Sequence, residues 1–132
     1  MSSYARARPD LTPADLGFEQ QHRLYQHLTT RQAGEPLVIA ADDVLRDPTA
    51  TLSAICDRAG VEFSESMLSW PAGARDSDGV WAPYWYENVQ KSTGFGPYRE
   101  KPISLTAAQQ KIADQCQPYY EQLHAARFRL PA

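Results

Sequence analysis

Residues 36–41, Pro36-Leu37-Val38-Ile39-Ala40-Ala41, are apolar at every position. A strand with one face in water alternates apolar and polar residues. An unbroken apolar run belongs instead to a strand buried on both faces, as in the middle of a parallel sheet. Such a strand needs a neighbour on each side. The chain offers no second run of this kind, and residues 61–63 and 79–86 are weak candidates. The expectation is an α/β chain, mostly helical, with one buried parallel-type strand at about 36–41. Either another chain completes its sheet, or these residues are part of a larger domain.

The helices are signalled more clearly. In Thr12-Pro13-Ala14-Asp15, Thr12 caps, Pro13 suits the first helical position and Asp15 stands where a capping-box acid belongs. Gly17 splits off a short turn. A main helix then follows, with Phe18, Gln21 or His22, Tyr25 and Leu28 on one stripe, and Gly34 as its stop. His22 and His27 read as surface or boundary residues. Asp47 caps a helix opened by Pro48, with Leu52, Ile55, Cys56 and Ala59 on one face and Gly60 after it. Asp42 and Asp43 fit a turn plus helix start, or an acidic pair just past a strand end that binds a metal or does chemistry. Ser64 can cap a short helix holding Met67 and Leu68. The last helix is expected from about Leu105 to Phe128, kinked or broken at Pro118.

Between Trp70 and Lys101 the chain reads as a long irregular segment, and such segments in compact domains are usually functional. Its stretch 79–99 holds six of the chain's fourteen aromatics and two prolines, Pro83 and Pro97. It contains Lys91-Ser92-Thr93-Gly94: one cation, two hydroxyls and a glycine whose backbone can approach a ligand closely. This reads as a loop that packs its rings and presents an anion-binding turn, or as packing plus a solvated turn.

Composition narrows the classes. The 132 residues suit one domain, and 42% apolar content allows a core without excess. Net charge is −3 with no basic run, which argues against nucleic-acid binding. No stretch of about 18 apolar residues points to a membrane span. The N-terminus lacks the apolar region of a secretory signal. Cys56 and Cys116 fit reduced core thiols, and their spacing matches no metal motif. A cytoplasmic location is expected.

Two segments together resemble a known family. One is Pro36-Leu37-Val38-Ile39, Asp42-Asp43-Val44-Leu45-Arg46-Asp47-Pro48, Thr51-Leu52, Cys56 and Gly60-Val61. The other is Val89-Gln90-Lys91-Ser92-Thr93-Gly94-Phe95. Both are similar to the sulfotransferases that use 3′-phosphoadenosine 5′-phosphosulfate. The segment from Met67-Leu68-Ser69-Trp70-Pro71 to Trp85-Tyr86 resembles a bacterial sulfotransferase-like branch. The resemblance implies a P-loop-type α/β fold. It also implies metal-free transfer of a sulfuryl group to a hydroxyl or amine of a small-molecule acceptor. By the same resemblance, Ser3 of Ser3-Tyr4 and the turn Lys91, Ser92, Thr93 and Gly94 hold the donor's 3′-phosphate.

No Gly-rich phosphate loop accompanies them, since the glycines stand apart at 17, 34, 60, 73, 79, 94 and 96. The chain therefore resembles the C-terminal half of such a domain, one partial domain over 1–132. It is expected to be inactive alone and to take an N-terminal half, or a second copy, as partner. No catalytic base is identified. The alternative is a non-catalytic binding or protein-interaction module, with the aromatic stretch as core or interface anchor.

Overall fold

A computed structural model describes residues 10–31, 35–100 and 102–129. Helices, one 3-10 turn included, make up 58% of these residues. They form two compact units, one from the two ends of the chain and one from its middle.

In the first unit, α1 (Pro13–Leu16) and α2 (Phe18–Thr30) pack against α7 (Ala107–Ala125). The Asp15 carboxylate accepts from the Thr12 backbone N–H at 2.9 Å and from its hydroxyl at 2.6 Å, fixing the first turn. Gly17 then turns the chain with φ 72°, a left-handed conformation that glycine adopts without a Cβ penalty. Helix α2 continues to Thr30, and its expected stop at Gly34 lies outside the described residues.

Between α2 and α7 the contact is aromatic. Phe18 meets Tyr120 edge-on at 6.0 Å, and His22 lies tilted against Tyr119 at 5.7 Å. His22 is buried, not a surface or boundary residue as its sequence context suggested, whereas His27 is exposed. Leu11, Cys116 and Leu123 complete this core. Helix α7 starts on a capping box, with Thr106 Oγ1 accepting from the Gln109 N–H and the Gln109 side chain accepting from the Thr106 N–H. It runs through Pro118 without a break.

The second unit holds α3 (Ala41–Arg46), α4 (Pro48–Ala59), a 3-10 turn at Glu65–Leu68, α5 (Ala82–Trp85) and α6 (Glu87–Lys91). Asp47 caps α4 by accepting from the Ala50 N–H at 2.9 Å, and Pro48 opens the helix. Gly60 ends it with φ 68°. Thr51 is fully buried and donates its hydroxyl to the Asp43 carbonyl at 3.2 Å, tying α4 to α3. Cys56 is buried with its Sγ 3.8 Å from Met67 Sδ, which joins α4 to the 3-10 turn.

The α/β expectation is overturned. Among the described residues there is no strand and no sheet, so neither the P-loop-type α/β fold nor the buried strand at 36–41 is present. Residues 35–40 make a single parallel bridge, Val38 with Arg127, sealed by the Phe128 N–H donating to the Val38 carbonyl at 2.7 Å. Ala41 already belongs to α3. Leu37, Val38 and Ile39 are half-buried, not enclosed. A strand persists through its ladders, and one bridge on one side is not a ladder.

Candidate functional site

Lys91-Ser92-Thr93-Gly94 closes the C-terminus of α6, and a second segment, Leu68 to Trp70, runs beside it. Ser69 and Gly94 form an antiparallel bridge, and the Trp70 N–H donates to the Thr93 carbonyl at 3.0 Å. The Trp70 ring fixes the turn from a second direction. Its Nε1 donates to Ser92 Oγ at 2.9 Å, and the ring packs edge-on against Phe95 at 5.3 Å. Farther along, the Arg46 guanidinium lies 4.2 Å from the centroid of the Tyr98 ring.

The two segments approach closely at Gly94. A Cβ placed there would stand 3.0 Å from the Leu68 carbonyl oxygen, so a side chain would push two backbones apart.

The four expected residues have different duties. Ser92 spends its hydroxyl internally: it accepts from Trp70 and donates to the Val89 carbonyl at 2.7 Å. Lys91 is exposed, and its Nζ lies 2.6 Å from Glu87 Oε1 one turn back on α6. That bond, and then the ammonium's charge, holds the Glu87 carboxyl below the usual range. Thr93 is exposed, and its N–H and hydroxyl have no hydrogen-bond partner among the described residues. The Gly94 N–H is likewise unpaired. Because the Thr93 carbonyl faces Trp70, the trans peptide turns the Gly94 N–H to the opposite side.

The turn therefore offers two backbone donors, one hydroxyl and one adjacent cation. This is the chemistry of an anion site built on exposed amides. Ser3, the fifth expected residue, lies outside the described residues.

Sequence reasoning missed two members of this arrangement. Trp70 is the clamp, although nothing in its neighbourhood marks it as a partner of Ser92, 22 residues away. Glu87 is the competing anion, and its i, i+4 spacing from Lys91 was a readable signal once α6 was known to be helical. The rings expected to pack divide in two. Phe95 packs, against Trp70, whereas Trp81, just before α5, is 66% exposed and Tyr84, on α5, is 77% exposed. Asp42 and Asp43 fall in the first turn of α3, where Asp43 pairs with Arg46 at 3.0 Å. Among the described residues no group of three His, Cys, Asp or Glu side chains could hold a metal ion, and no helix is long and apolar enough to cross a membrane. Cys56 and Cys116 are both buried free thiols.

Comparison with known proteins gives this site a context. Two curated proteins of Arabidopsis thaliana are similar to the chain. Branched-chain-amino-acid aminotransferase-like protein 2 is 39% identical over 80% of the chain, and branched-chain-amino-acid aminotransferase-like protein 1 is 36% identical over 84%. The chain spans about a fifth of the length of each, 19% and 20%. No solved structure matches. A sulfotransferase-domain family model matches residues 1–127. That match covers nearly all of the chain, including Ser3 and the whole Lys91–Gly94 turn, and the chain belongs to the sulfotransferase domain family.

Proposed function

We propose that the Lys91–Gly94 turn binds the 3′-phosphate of 3′-phosphoadenosine 5′-phosphosulfate. The observation that carries this reading is the pair of N–H groups at Thr93 and Gly94 that have no partner among the described residues, two and three positions after the exposed Lys91, within a chain of the sulfotransferase domain family. The fit is chemical. A phosphate dianion takes several N–H and O–H donors and one cation, and these are what the turn leaves available. Glu87 opposes the phosphate for Lys91, but both partners of that pair are exposed, so water screens the pair and the ammonium can be exchanged.

The donor's other end is treated differently. The sulfuryl group must be held where charge develops during transfer, which calls for preorganised donors. The chain's glycines are scattered, and no Gly-rich phosphate loop stands among them. This chain accordingly contributes the nucleotide's 3′-phosphate wall of a cytoplasmic sulfotransferase. Residues from another polypeptide segment supply the sulfuryl cradle and the base acting on a hydroxyl or amine acceptor. The isolated chain then binds without turning over.

A second reading is an interaction module with no donor site. The exposed side chains of Val80 and Trp81, just before α5, and of Tyr84 on it favour it. Thermal melting with and without 3′,5′-adenosine bisphosphate separates the two. The donor-site reading expects a rise in melting temperature that grows with ligand concentration, together with no sulfuryl transfer from the full donor. An unchanged melt up to millimolar ligand overturns it in favour of the module. Turnover by the isolated chain overturns the division of labour.

A further inference from the structure

Val38 uses one side of its backbone for the bridge to Arg127, its carbonyl accepting from the Phe128 N–H. A parallel bridge of this form points both the N–H and the C=O of Val38 toward residues 126–128. The described peptides are all trans. In a trans peptide the C=O and the following N–H point in opposite directions. The Leu37 carbonyl, which shares a peptide with the Val38 N–H, therefore faces the other side. So does the Ile39 N–H, which shares a peptide with the Val38 carbonyl. Among the described residues neither group has a hydrogen-bond partner. One acceptor and one donor thus stand on the free edge, one on each side of Val38.

That arrangement is self-complementary. A two-fold axis passing beside Val38 sets a second copy antiparallel. The Leu37 carbonyl then accepts from the partner's Ile39, and the Ile39 N–H donates to the partner's Leu37. Val38 faces its own symmetry mate as a non-hydrogen-bonded pair, the register in which side chains approach most closely. Such an isologous contact is closed, so it stops at two copies. No like charges meet directly: in this register Glu35 stands opposite position 41, an alanine. Leu37, Val38 and Ile39 are only half-buried in the single chain and bring apolar surface to the contact. We propose that the free edge of residues 37–39 joins two copies of this chain through antiparallel backbone pairing about Val38. This goes beyond the donor-site reading and does not depend on it.

Sedimentation velocity across a concentration series, with amide hydrogen exchange at its two ends, tests the pairing. The expected result is a monomer–dimer equilibrium in which the Ile39 amide becomes protected as the dimer forms. Ile39→Pro removes that N–H from both copies and weakens the dimer about thirty-fold. Ile39→Val keeps the amide and keeps the dimer, and circular dichroism establishes that both variants fold. If Ile39→Pro fails to fold, the wild-type exchange data decide alone. A monomer at every concentration overturns the proposal. So does a dimer whose Ile39 amide exchanges as freely as in the monomer, which would place the contact elsewhere. Pairing that forms only with a different polypeptide added would assign the edge to that partner and also overturn the two-copy form.

Discussion

Ser92 and Lys91 are neighbours with opposite roles. Ser92 links Trp70 to the end of α6 with both functions of its hydroxyl, so it is part of the turn's frame. Ser92→Ala is expected to lower unfolding stability by about 1–2 kcal/mol, read by urea denaturation, because the Trp70 N–H loses its acceptor. Its loss of bisphosphate affinity follows from the loosened frame. Among the described residues Lys91 is held only by an exposed pair, and Lys91→Gln should leave stability nearly unchanged while weakening bisphosphate binding.

The same pair makes a prediction about pH. The Glu87 carboxyl is held below the usual range by its bond from Lys91, so it stays ionised into mild acid. A depressed carboxyl contributes stability above the ordinary glutamate range and loses it as pH falls through the lowered value. An NMR titration of Glu87 should show that lowered midpoint, and Lys91→Gln should move it back up. Sequence alone named Lys91, Ser92, Thr93 and Gly94 as one group. It could not separate the hydroxyl that holds the turn from the donors that remain open, because that depends on Trp70, 22 residues earlier.

At the scale of elements, local signals were the legible ones. Capping chemistry at Thr12, Asp47, Ser64 and Thr106, and the stop at Gly60, act within a few residues, and all are used as the sequence suggests. Two readings turned on remote partners. The run at 36–41 has the composition of an enclosed strand, but enclosure comes from neighbouring strands, and the described residues supply one bridge at Val38. Pro118 was expected to kink or break the last helix, yet α7 continues to Ala125. Packing of Tyr119 and Tyr120 against α2, with Cys116 and Leu123 buried on either side, offsets the missing N–H at position 118. Pro118 is exposed and fills no core space, so Pro118→Ala is expected to stabilise the protein by about 1–3 kcal/mol. A thermal melt reads this as a higher midpoint. An unchanged or lower midpoint would mean that the proline is needed where it stands.

For the molecule as a whole, the described core is thin: Leu11, Cys116 and Leu123 in one unit, Cys56 and Ala82 in the other, are its buried apolar side chains. With so little enclosed surface, the binding turn is held by hydrogen bonds more than by burial, and the Trp70–Ser92–Gly94 knot consists of such bonds. Membership of the sulfotransferase domain family rests on nearly the whole chain, and the donor-site account rests on this one turn. Amide NMR of the isolated chain during titration with 3′,5′-adenosine bisphosphate examines that turn directly. The account predicts saturable shifts at the Thr93 and Gly94 amides that weaken in Lys91→Gln and strengthen in Glu87→Gln. Amides at Thr93 and Gly94 that stay unmoved at saturating ligand, or shifts that persist undiminished in Lys91→Gln, would contradict it.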